Sequence, residues 1–132
     1  MTLSGKLGRC AVGALGGSMI LIALGTNDKA MAQYTQSGET LFNQRCGSCH
    51  VISRDQKAGI GPNLYGVVGR IAGSGPFSYS SALRDSKLTW TRANLERYLA
   101  APMQAVPGTR MAVSVREPAQ RATIIRYLAA AK

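Results

Sequence analysis

The pentad Cys46-Gly47-Ser48-Cys49-His50 constrains this chain more than any other feature. Two cysteines separated by two residues reach the two vinyl groups of one porphyrin as thioethers, and the histidine that follows is placed under its iron. The pentad therefore reads as the attachment site of one covalent haem c. Two other chemistries use the same spacing. A zinc half-site needs a second pair of ligands, and beyond residue 32 the sequence holds no other cysteine or histidine. A redox dithiol of the thioredoxin kind belongs to a strand-helix pattern, and none precedes Cys46. A covalent haem also enlarges the core that a short chain can bury.

The first 32 residues are not expected to belong to the fold. Lys6 and Arg9 precede an uncharged run from Ala11 to Leu24, and Ala30-Met31-Ala32 offers small residues where a signal peptidase reads them. The apolar run is shorter than the roughly twenty residues that cross a bilayer. Five glycines between Gly8 and Gly25 weaken it further as an anchor. An uncleaved anchor is the alternative; Cys10 precedes the apolar run and fits a lipid anchor poorly. Cleavage after Ala32 would leave residues 33–132 as one domain with 13 basic and 5 acidic side chains, a charge of +8. These charges are dispersed, and an exported, periplasmic protein is not expected to meet nucleic acid. An acidic protein partner, or transient association with a membrane surface, suits the charge.

Three stretches have helical periodicity. From Thr35 to Arg45, Gly38, Leu41, Phe42 and Arg45 recur three and four residues apart, with Glu39 in the first turn. From about Thr91 to Ala101, Leu95, Tyr98 and Leu99 share a stripe; Thr89 or Thr91 offers a cap and Pro102 a stop. The third starts near Pro118 and presents Ile124, Tyr127 and Leu128. Between the first two lies a long region punctuated by glycine and proline from Gly59 to Pro76, with no strand alternation. So long an irregular stretch argues against a compact domain unless its loops pack on a prosthetic group. The expected fold is all-α, with about three to five helices and long loops wrapped around one covalently bound haem.

His50 is the only histidine, so a second axial ligand from protein cannot be another one. Methionine is the usual remaining choice, because a soft thioether stabilises reduced iron and raises its potential. Met103 follows Pro102 at a helix end; Met111 follows Pro107-Gly108-Thr109-Arg110. The rigid proline-glycine turn favours Met111, and spacing alone leaves Met103 open.

The sequence resembles class I cytochromes c of the mitochondrial and bacterial c2 type. The blocks that carry the likeness are Gly38 and Phe42 before the pentad, then Gly61-Pro62-Asn63-Leu64-Tyr65-Gly66-Val67-Val68-Gly69-Arg70, Phe77-Ser78-Tyr79-Ser80 and Leu88-Thr89-Trp90. Tyr98-Leu99, Pro107-Gly108-Thr109-Arg110-Met111 and Ile124 to Leu128 complete it. The resemblance covers the chain from Gly38 to Leu128, and its order and spacing are specific. It implies a cytochrome c fold over residues 33–132. It implies thioether links at Cys46 and Cys49, and His50 and Met111 as the iron ligands. The Pro62 carbonyl should accept a hydrogen bond from the His50 ring. Tyr79 and Trp90 should donate to a haem propionate, with Arg70 nearby. Tyr98 should lie beside the Met111 sulfur and Thr109 bond within the same pocket, while Gly38 should let the first and last helices cross closely against Tyr127.

Departures accompany the match. Leu83 stands where the mitochondrial branch has an asparagine in a buried water network. The Gly73-to-Phe77 loop and the region after Met111 are each about one residue short. The family's lysine ring is partly present, with Arg45, Lys57, Lys87 and Arg110 as its candidate remnant.

The implied function is that of a soluble, monomeric one-electron carrier, not an enzyme. Expected partners are acidic redox proteins: a quinol-oxidising bc complex, a terminal oxidase or a photosynthetic reaction centre. Two alternatives keep the haem and change its use. One is the electron-transfer subunit of a periplasmic dehydrogenase; the other is a haem enzyme such as a peroxidase, or a gas sensor, with an open sixth position.

Overall fold

A computed structural model of the chain describes residues 36–132. The expected leader over residues 1–32, and the Thr35 start expected for the first helix, lie outside the described residues. Five helices occur among the described residues: α1 (Gly38–Arg45), α2 (Ser81–Asp85), α3 (Arg92–Ala100), α4 (Pro102–Ala105) and α5 (Pro118–Ala130).

Local chemistry sets their ends. Ser37 is extended, and its hydroxyl accepts from the Thr40 amide at 3.1 Å, so α1 starts at Gly38 with Glu39 in its first turn. Thr91, of the two threonines offered by the sequence, caps α3 by accepting from the Asn94 amide. Pro102 ends α3 as expected, because the residue before a proline is pushed out of helical backbone. The same proline occupies the first turn of α4, where its missing N–H costs nothing. Pro118 opens α5 in the same way, behind Glu117. The short α2 is capped by the Ser80 hydroxyl, which accepts from the Leu83 amide.

The two terminal helices cross through Gly38. A Cβ at that position would stand 2.6 Å from the Tyr127 Cβ, so only glycine permits the approach. Phe42 packs its ring 5.6 Å from that of Tyr127 at the same crossing. Helix α3 packs on α5 and on α4, and Ile124 of α5 is fully buried beneath them.

The chain between α1 and α3 is mostly irregular, as the glycines and prolines predict. Its regular pairing among the described residues is the isolated bridge Ile71 to Thr89. There the Ala72 amide donates to the Leu88 carbonyl and the Trp90 amide to that of Arg70. Nearer the pentad, the Gly61 amide donates to the Cys49 carbonyl and the Leu64 amide to that of Val51, which folds the proline-bearing loop back beside His50. No helix among the described residues is long and apolar enough to cross a membrane.

Candidate functional site

The irregular loops and the helices enclose a cavity of about 420 Å³, within the range of roughly 300–1,000 Å³ typical of cofactor pockets. Cys46, Cys49, His50, Pro62, Arg70, Tyr79, Trp90, Tyr98, Thr109 and Met111 all line it. Leucine, valine and isoleucine side chains, including Leu64, Val67, Leu95, Leu99 and Ile124, supply an apolar interior. Met103 is 52% exposed on α4 and does not line the cavity, so the structure separates the two methionines that spacing left open.

The pentad continues from the end of α1. Both the Cys46 and Gly47 amides donate to the Phe42 carbonyl, and the Cys49 and His50 amides donate to that of Cys46. This tight turn brings both sulfurs and the imidazole to one wall. The two thiols are free, with Cys46 buried. Burial pushes the Cys46 thiol up to about 11, while the adjacent Arg45 pulls the other way. A redox dithiol has its reactive thiol lowered, so the shift runs against that reading. No cluster of three or more metal-ligating side chains of the zinc kind occurs among the described residues.

His50 Nδ1 donates to the Pro62 carbonyl at 2.8 Å. A carbonyl only accepts, so Nδ1 carries the ring proton and Nε2 keeps a lone pair for a metal. Gly61 packs flat against this ring: a Cβ there would lie 2.4 Å from His50 Cε1. Asn63, next in sequence, fastens the loop. Its Nδ2 donates to the Ser53 and Gln56 carbonyls, and its Oδ1 accepts from the Tyr65 amide. Arg70 reaches into the same loop and donates to the Asn63 carbonyl at 3.0 Å.

Tyr98 and Thr109 line the same cavity as Met111, and the Tyr98 hydroxyl and Thr109 Oγ1 share a buried hydrogen bond of 2.6 Å. Burial raises the Tyr98 hydroxyl above its usual range, and the bond to Thr109 offsets part of the rise. The Trp90 ring lies 4.8 Å from that of Tyr98. Tyr79 and Trp90 are each less than a tenth exposed. No buried side-chain nitrogen or oxygen lacks a partner among the described residues, and neither the Tyr79 hydroxyl nor the Trp90 indole N–H bonds to protein there. Both residues line the cavity. Leu83 is buried and lines the cavity, which keeps this side apolar.

The cationic candidates divide. Arg45 and Arg110 line the cavity, and Arg110 also donates to the Ser78 carbonyl. Lys57 and Lys87 are exposed and do not line it. The exposed Ile60 and Val113 also lie along its edge. Two residues that bind the site together were not singled out from the sequence. Asn63 is one; the other is Arg121, a buried arginine whose signal is a charge in the apolar stripe of α5.

Paired thiols, a ring poised through Nε2, a thioether and an apolar interior fit a covalently held haem, and the fold and site define an electron carrier built around one. The chain matches the cytochrome c family over residues 35–132. It is 46% identical over 94 residues to cytochrome c2 of Rhodomicrobium vannielii, an overlap of 70% of this chain and 74% of that protein. It is 42% identical over 95 residues to a c-type cytochrome, cyt cy, of Rhodobacter capsulatus, covering 70% of this chain and 47% of that one. The solved structure of cytochrome cH from Methylobacterium extorquens aligns with a TM-score of 0.65 at 42% identity, over 70% of this chain and 94% of that one. The chain belongs to the cytochrome c family. Family members are electron carriers, not enzymes, and they hold a covalent haem c through a Cys-x-x-Cys-His motif with the spacing of Cys46 and Cys49.

Proposed function

We propose that residues 33–132 form a soluble, monomeric, periplasmic carrier whose haem iron is held by His50 and Met111, with residues 1–32 acting as its export signal. The observation that carries this reading is the placement of His50 and Met111 on one cavity while Met103 lies outside it. The haem supplies a one-electron iron couple. His50, oriented by Pro62, and Met111, in its proline-glycine turn, would hold the iron between them and leave no place for substrate. The thioether and the apolar walls favour the reduced, less charged centre, so the potential is positive. Tyr79 and Trp90 would donate to a propionate, and Arg70 would offset its charge.

Ile60 and Val113 give the cavity edge an apolar contact, while Arg45, Arg110 and the overall charge steer an acidic partner toward it. Such a partner is a quinol-oxidising bc complex, a terminal oxidase or a reaction centre, met through a small, short-lived interface. The test is Met111→Ala in the haem-loaded protein. It should abolish the weak red-end absorption that reports iron–sulfur ligation and open the reduced protein to carbon monoxide. Rapid carbon monoxide binding by the unaltered protein at neutral pH overturns the reading in favour of a haem enzyme or sensor.

A further inference from the structure

Arg121 lies on the buried stripe of α5, together with Ile124, Ile125 and Leu128. An arginine there is costly unless its donors are satisfied, and Nε and Nη1 both have partners. Nη1 donates to the Val115 carbonyl at 2.8 Å and to the Arg116 carbonyl at 2.7 Å. Nε donates to Glu96 Oε1 of α3 at 2.7 Å. An apolar side chain would pack α5 against α3 as well; what arginine adds is a rigid fork that reaches backbone oxygens.

Those oxygens belong to the segment that descends from Met111. Ala112 and Val113 are exposed. The first main-chain anchor after Met111, among the described residues, is the Val115 amide, which donates to the Leu99 carbonyl at 2.8 Å. Val115 is thus held on both sides, by α3 through its amide and by Arg121 through its carbonyl. Upstream, Met111 is held by the Thr109–Tyr98 bond and by Arg110 on Ser78. The methionine therefore sits between two anchors, and the downstream one is shared by Leu99 and Arg121.

We propose that Arg121 is a positioning residue for Met111, clamping the downstream end of the methionine segment so that the thioether stays at the iron. The proposal rests on the reading of Met111 as a ligand. Loss of the clamp lets the segment lift without unfolding the helices, so an outside ligand displaces the sulfur more readily.

The test is an imidazole titration of the oxidised, haem-loaded protein, followed by the red-end iron–sulfur absorption, alongside a denaturant titration followed by far-ultraviolet circular dichroism. Arg121→Gln removes charge and fork together and should lose the absorption at about tenfold lower imidazole, the ratio expected for one charge-assisted hydrogen bond. Arg121→Lys keeps the pair with Glu96 but lacks the fork, and should fall between Arg121→Gln and the unaltered protein. If Arg121→Gln does not accumulate with haem, the comparison of Arg121→Lys with the unaltered protein decides. Identical imidazole midpoints in the presence of the absorption overturn the clamp alone, and so does a shift that merely follows the unfolding midpoint. Absence of the absorption from the unaltered protein without imidazole overturns the Met111 assignment and the clamp with it.

Discussion

Tyr98 and Thr109 share one hydrogen bond in a buried site. Tyr98→Phe strands the Thr109 hydroxyl and should lower stability by about 1–3 kcal/mol, read from the denaturant midpoint at neutral pH. The cost should depend on pH. Burial raises the Tyr98 ionisation in the folded chain, so the folded state holds this proton more tightly than the unfolded one. That contribution is complete below the unfolded value near pH ~10 and is lost as pH rises through the higher folded value. The stability gap between the two proteins should narrow in alkali; a gap that widens contradicts the sign. Single residues were unevenly legible. The pentad stands out by type and spacing, and Met111 by the proline-glycine turn before it and by the resemblance. Asn63 and Arg121 do not, because their work is done on backbone carbonyls that only the folded loops bring near.

Among the elements, the crossing of α1 and α5 carries the sharpest constraint. Gly38→Ala places a methyl 2.6 Å from the Tyr127 Cβ, with the Thr123 carbonyl at 3.2 Å. Both obstacles lie at or near main chain, so the helices must separate. A loss of about 1–3 kcal/mol is expected, the usual cost of forcing extra methyls into a packed site. Thermal unfolding checks it, and an unchanged midpoint means that the helices adapt freely. The three longer helices were legible from period, caps and proline. Helices α2 and α4 have five and four residues, too few for a period to show, and Pro102 reads as a stop without revealing that it also starts a turn. The loops from Gly59 to Pro76 were legible as irregular; their path was not, since it is set by bonds such as Gly61 to Cys49 and Gly66 to Ala131.

At the scale of the whole molecule, basic residues outnumber acidic ones by 16 to 6 in the sequence. Steering by such a charge is screened as the Debye length falls from about 30 Å at 0.01 M to about 8 Å at 0.15 M salt. Electron exchange with an acidic partner should slow across that range in stopped-flow measurements, and a rate indifferent to salt removes the electrostatic part of the docking argument. The cavity has a different bearing, on the history of each molecule. Side chains from the pentad through α5 line it, so much of the apolar core is completed by the prosthetic group and not by the chain alone. The polypeptide should therefore close less firmly before its haem is attached than after. The closed fold buries Cys46 against the cavity. Thioether bonds at the pentad should accordingly form more readily on an open chain than on a closed one.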